Sequence, residues 1–156
     1  MENDLLRPDL VRFDWEVADQ AELFEKMTEK LVAAGYVRDT FGAAIAAREA
    51  KYPTALPTQP EAVAIPHGDA EHIITPFIAP MRLATPVQWH EMGNDENVHP
   101  VRFVFMLGLN KAEGQLAALQ GLVQSFQDPK FYTDLDSAST PEEFYDVVKS
   151  IDGFSN

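Results

Sequence analysis

The spacing of apolar residues changes several times along the chain, and each change marks an element. Val11, Phe13, Trp15 and Val17 alternate with Arg12, Asp14 and Glu16, the two-residue period of a strand with one face buried and one wet. From Asp19 the period lengthens. Phe24, Met27, Leu31 and Ala34 share one helical face, with Asp19 as N-cap, Glu22 as its back-bonding partner and Gly35 closing the helix. A second helix is predicted over residues 39–51, with Phe41, Ala44, Ile45 and Arg48 at i, i+3, i+4 and i+7 and Pro53 beyond its end. That spacing puts Arg48 on the buried side, near the C-terminus of its helix.

Leu56-Pro57-Thr58-Gln59-Pro60 reads as a stiff loop. Ala62-Val63-Ala64-Ile65 follows without polar alternation, which suits a short strand covered on both faces. Pro66 ends it and His67-Gly68 come next. Strands are predicted over 77–83, 87–91 and 101–109, with Pro80 making the first an edge strand or a bulge. Residues 94–97, Asn-Asp-Glu-Asn, read as a solvated hairpin loop. Asn110 with Glu113 caps a helix that turns Leu116, Leu119, Val123 and Phe126 inward and ends near Asp128-Pro129. Thr140-Pro141-Glu142-Glu143 opens the last helix, with Phe144, Val147, Val148 and Ile151 toward the core. Helices and strands interleave, so the fold class is α/β: a three-layer sandwich of a mixed, mainly parallel sheet flanked by helices. The length, 156 residues, suits a single domain, 1–156. The charged first ten residues, with Pro8, are expected to be loosely held.

Composition narrows the function. With 46% hydrophobic and 10% aromatic residues the chain can bury a core and is not a disordered protein. Twelve Lys and Arg against 25 Asp and Glu leave a net charge of −13. No basic cluster interrupts it, which argues against nucleic acid and anionic lipid and favours protein partners with a basic contact face. There is no cysteine, so disulfides, thiolate metal sites, iron–sulfur clusters and thiol catalysis are excluded, in keeping with a reducing cytoplasm. The start, Met-Glu-Asn-Asp, is acidic where a signal peptide would be basic, and no apolar run approaches the roughly 20 residues of a membrane span. A soluble, cytoplasmic protein is expected.

The chemistry concentrates in Ala64-Ile65-Pro66-His67-Gly68. A buried strand delivers a histidine to its exit, proline stiffens the approach, and glycine lets another molecule come close. An imidazole with a pKa near 6.5 is largely neutral at physiological pH and can act as a nucleophile. The same residues also suit a loop histidine that merely caps a strand. Arg48 allows three readings: a snorkelling cation, the partner of a buried carboxylate, or a group aimed at an anion. The helix after Asn110, with Gln115 in its first turn, would add free backbone N–H groups. A chain of this charge needs such local donors to hold a phosphate. His67, Asp69, Glu71 and His72, with His90 and His99, form a rival metal set, but the spacing matches no dedicated signature. Neither a metal nor a cofactor is expected. His72, His90 and His99 read as surface or rim residues and Trp89 as core. G-x-S-x-G, Walker and G-x-G-x-x-G patterns are absent, which leaves hydrolase, NTPase and dinucleotide readings without support.

Arg48-Glu49 through Tyr52-Pro53-Thr54, followed by Ala64-Ile65-Pro66-His67-Gly68 and by Pro86-Val87 with Met92-Gly93, resembles the enzyme IIA domains of the bacterial phosphotransferase system. The branch is the fructose/mannitol type, and the galactitol-type proteins look most similar. The resemblance implies a mixed sheet sandwiched by helices and a carrier role in sugar uptake. It implies that His67 takes a phosphoryl group from HPr and passes it to a IIB protein, with Arg48 near that group. Where many relatives have a second histidine this sequence has Gln115, a possible donor in its place, and that departure favours the galactitol-like branch. These residues include no IIB or IIC segment, so the partners are expected as separate chains. The sugar is not contacted, and the membrane is approached only through IIB and IIC. A regulatory domain of the same fold and a catalytically silent or metal-binding domain are the alternatives.

Overall fold

The computed structural model of the chain describes residues 5–151 and Phe154. The acidic residues 1–4 lie outside the described part. Residues 5–10, expected to be loose, are pinned: Leu6 and Leu10 are buried, Leu6 bridges Ile78, and Arg7 donates to the Pro76 carbonyl. Apolar burial outweighs the charge of this segment.

The alternating run forms strand β1, Arg12–Trp15. Helix α1, Gln20–Ala33, begins at the expected cap: Asp19 accepts from the Glu22 amide at 2.9 Å and Glu22 accepts from the Ala18 amide at 2.6 Å. Leu23 joins Phe24, Met27 and Leu31 on its buried face, whereas Ala34, past the last turn, is exposed. Gly35 then takes φ +85°, the left-handed conformation that closes helices. Helix α2, Phe41–Lys51, buries Phe41, Ile45 and Glu49. The buried row thus runs i, i+4, i+8 and passes one residue beyond Arg48, which stands at its edge.

Strand β2, Ala55–Leu56, takes up the first residue of the expected loop and pairs antiparallel with β3, Ala62–Ala64. Strands β4, Phe77–Glu91, and β5, Asn94–Gly108, form one long hairpin. The two strands expected at 77–83 and 87–91 are therefore one, its register slipping between Arg82 and Val87. The expected loop at 94–97 is the start of β5. The turn is Met92-Gly93, with Gly93 at φ +78° and Glu91 facing Asn94, because a two-residue hairpin needs the positive φ that glycine supplies. Nor is β4 an edge strand: it lies between β1 and β5. Its proline is accommodated where the β1 ladder is broken, between the Leu6 bridge to Ile78 and the pairing of Arg12 with Met81, by the 3-10 turn Pro8–Leu10.

The sheet runs β1-β4-β2-β3-β5, with β4 also paired to β5. Three pairings are parallel and two antiparallel. Helices α1 and α2 cover one face, over Ala62, Ala64, Met81 and Trp89. The other face, with Val63, Ile65, Phe103 and Phe105, is covered by α3, Ala112–Ser125, α4, Pro129–Ser137, and α5, Pro141–Val148. Successive residues of β3 enter opposite cores, as its unbroken apolar run requires.

Two expectations about this second layer fail. The N-cap of α3 is Lys111, which makes no side-chain cap, so among the described residues the Asn110 and Glu113 pairing does not form. Its inward row is Ala118, Leu122 and then Phe126. Leu116 is 57% exposed and Val123 is also on the outside. The helix carries more apolar residues than one stripe needs, and the sheet selects the row. Helix α4 was unforeseen. Pro129 both ends the preceding helix and opens the next, with Asp128 accepting from the Lys130 amide and Phe131 and Leu135 buried. Helix α5 starts as expected, Thr140 accepting from the Glu143 amide at 3.1 Å. Among the described residues no helix is long and apolar enough to cross a membrane.

Candidate functional site

Three chain segments meet at one cavity of about 350 Å³: the last turns of α2, the exit from β3, and the passage from β5 into α3. Arg48, His67, Gly68 and Asp69 line one side, and Asn110, Lys111, Gln115 and Leu116 the other. His67, Arg48 and Gln115, named separately from the sequence, are brought together here.

The backbone holds the histidine up to its own position. Past β3, the Pro66 carbonyl accepts from the Leu107 amide at 2.9 Å, and His67 bridges Leu107 in parallel register. The imidazole then folds back, with Nδ1 at 2.9 Å from the Ile65 carbonyl. A carbonyl only accepts, so Nδ1 carries the proton and Nε2 carries the lone pair. Burial pushes the His67 pKa below its usual 6.5, and the Arg48 cation pushes the same way, against the pull of the Ile65 carbonyl and Asp69. Both effects favour the neutral ring, with its lone pair on Nε2.

Gly68 permits a close approach. A Cβ there would stand 2.7 Å from Cε1 of Phe41, the first residue of α2. The histidine loop is thereby pressed onto the helix that carries the arginine. Arg48 Nη1 donates to Asp69 Oδ1 at 2.8 Å, and the guanidinium lies 5.8 Å from the centre of the Tyr52 ring. A third of its side chain is exposed, so it is neither fully buried nor matched to a buried carboxylate. Its Nε is shielded and has no acceptor among the described residues. Gln115 is half-buried in the first turn of α3, its amide on the Lys111 carbonyl. Its N-cap, Lys111, makes no side-chain cap, so among the described residues the amides that open this helix are free of a capping side chain.

The other histidines lie outside the cavity lining. His72 Nδ1 is 2.7 Å from the Thr40 hydroxyl, and His99 is 2.7 Å from Glu91. His90 is exposed on β4, and Trp89 is core. Among the described residues no three His, Asp or Glu side chains are grouped as metal ligands. Sequence reasoning had set Asp69 in the rival metal set and missed its pairing with Arg48. It also missed Lys111 and Glu49. The adjacency of Asp69 to His67 was the available signal for the first, and the i+8 position from Phe41 for the last.

Residues 4–151 match the family described as the phosphoenolpyruvate-dependent sugar phosphotransferase system, EIIA 2. The chain belongs to this EIIA 2 family. As an EIIA 2 protein it is 31% identical over 119 residues to the galactitol-specific EIIA component of Escherichia coli strain K12, an alignment covering 76% of this chain and 79% of that protein. Its fold is that of the nitrogen regulatory protein IIA-Ntr of Neisseria meningitidis, with TM-score 0.73, 24% identity, and coverage of 94% of this chain and 97% of that one. It is also that of the Escherichia coli mannitol enzyme IIA solved in complex with phosphorylated enzyme IIB, with TM-score 0.71, 20% identity, and coverage of 94% and 99%.

Proposed function

We propose that this EIIA 2 protein is a phosphohistidine carrier of the cytoplasm, in which His67 accepts a phosphoryl group from phospho-HPr and passes it to a IIB protein of a sugar or sugar-alcohol permease. One observation carries the reading: the Ile65 carbonyl holds Nδ1 as a donor and leaves Nε2 unprotonated beside a cation in an open cavity. The galactitol-specific relative supports the system, and the mannitol IIA solved with phosphorylated IIB supports the class of acceptor.

In the transfer, the Nε2 lone pair attacks phosphorus in line. The Nε2–P bond forms as the P–N bond to the donor's imidazole breaks, and the electron pair leaves with the donor nitrogen. Nδ1 keeps its proton throughout, and onward transfer to IIB reverses these roles. Charge on the three equatorial oxygens is met by Arg48, which has N–H groups beyond the one given to Asp69, by the α3 N-terminal amides and by Gln115. Lys111 and Arg48 are the cations lining the cavity, and they counter the net charge of −13 that would otherwise repel the group. The sugar meets only the membrane subunit, and the carrier reaches the membrane through IIB and IIC.

The test is incubation with phosphoenolpyruvate, enzyme I and HPr, followed by addition of candidate IIB proteins. The wild type takes up acid-labile phosphate, His67→Ala takes up none, and His72→Ala labels like the wild type. Arg48→Ala stays folded and transfers about 10²-fold more slowly, the scale set by loss of one preorganised donor. Equal labelling of the two histidine variants overturns the assignment, and an unchanged rate for Arg48→Ala removes that residue's role.

A further inference from the structure

Phosphoryl transfer as described leaves the buried carboxyl group of α2 unused. Glu49 follows Arg48 in α2 and is 4% exposed. Its Oε2 accepts from the Thr54 amide and from the Trp89 indole N–H, both at 2.8 Å, and its Oε1 accepts from the Thr54 hydroxyl at 2.9 Å. Three donors converge on it, and its two oxygens accept from all three. A buried carboxylate is a costly way to fasten a helix end, since an apolar side chain packs there without the loss of hydration. What the carboxylate adds is direction.

The direction leads to the site. The Thr54 carbonyl accepts from the Ile65 amide at 3.3 Å, and the Ile65 carbonyl accepts from His67 Nδ1 at 2.9 Å. Next to this link, Ala55 of β2 pairs with Ala64 of β3. One side chain therefore stands between the helix turn that carries the arginine and the peptide that orients the histidine. We propose that Glu49 is a positioning residue for phosphoryl transfer: through Thr54 it fixes the Ile65 peptide that sets the His67 tautomer, and it holds the turn of α2 that presents Arg48. The kinetic part of this inference rests on the phosphocarrier reading; the tautomer part does not.

The deciding variant is Glu49→Gln, which has one acceptor oxygen where the carboxylate has two and carries no charge. The expected result, measured below its unfolding midpoint, is a change in the His67 ring ¹⁵N shifts from a single Nδ1–H tautomer to a mixture. With it, kcat for acceptance from phospho-HPr falls about 10-fold, as when an orienting outer partner is lost, and KM for phospho-HPr stays the same. Phe144→Leu, in the opposite core, is the control for lost stability: it lowers the melting temperature and leaves tautomer and kcat unchanged. If Glu49→Gln does not fold, Thr54→Val, which removes one donor and keeps the backbone bond, shifts both readouts in the same direction by a smaller factor. A wild-type tautomer in whichever of these two variants folds overturns the proposal, and so does an equal effect from Phe144→Leu. If the wild type accepts no phosphate, the carrier reading fails, and the tautomer comparison still decides the role of Glu49.

Discussion

Replacing Gly68 by alanine tests whether the histidine loop is packed against α2 or merely lies near it. The added Cβ would be 2.7 Å from Phe41 Cε1 and 3.2 Å from Cδ1, where ordinary contact begins at 3.4 Å. The shortfall at Cε1 is 3.4 − 2.7 = 0.7 Å. Phe41 cannot swing aside, because it is fully buried and packs edge-to-face on Phe77 at 6.3 Å. Overpacking of this kind costs about 1–3 kcal/mol. Alanine returns about 0.4–1 kcal/mol by restricting the unfolded chain. The net expectation is a loss of about 1–2 kcal/mol, read from urea unfolding followed by tryptophan fluorescence. Relief of the clash moves the loop off α2, so the rate of phosphoryl acceptance falls as well. Phe41→Leu makes room, so the double variant should lose less than the sum of the single losses, with a coupling of about 0.5–2 kcal/mol. Additive losses, or a Gly68→Ala protein as stable and as fast as the wild type, would refute the packing argument.

Two further outcomes follow from the same structure. Because burial and Arg48 hold the His67 pKa below 6.5, the acceptance rate stays level down to that pH and drops only as pH falls through the lower folded value. In the same window the unfolded chain binds a proton that the folded one does not, so His67's contribution to stability rises with pH up to 6.5; an NMR titration placing the His67 midpoint above 6.5 contradicts both. Arg82, buried in β4, donates from Nη1 to the carbonyls of Leu135, Asp136 and Ala138 at the end of α4, and from Nε to Asp14. Arg82→Met leaves those carbonyls short of donors and should cost about 1–3 kcal/mol, and an unchanged urea midpoint would count against that role.

Local chemistry was legible where a few neighbouring residues decide the outcome. The caps at Asp19 and Thr140 form from side chains within four positions of the amides they bind. The unbroken apolar run at Ala62–Ala64 required two covering layers and has them. The hairpin was misjudged because the polar residues at 94–97 suit a strand as well as a loop, and the positive φ available to Gly93 settled the matter. The face of α3 was misjudged because Leu116, Ala118, Leu119, Leu122 and Val123 offer more than one stripe, and the distant sheet chose among them.

The site divides along the same line. Sequence alone determined that a histidine follows a buried strand behind a proline, that an arginine ends the preceding helix, and that glutamine stands in the first turn of a later one. Their shared cavity, the exposed pairing of Arg48 with Asp69 and the closing of the buried cage around Glu49 by Trp89 were decided only by tertiary structure. Each depends on hydrogen bonds or packing between segments that the chain's own order keeps apart, and hydrophobic spacing along one segment cannot say which polar group of another it will meet.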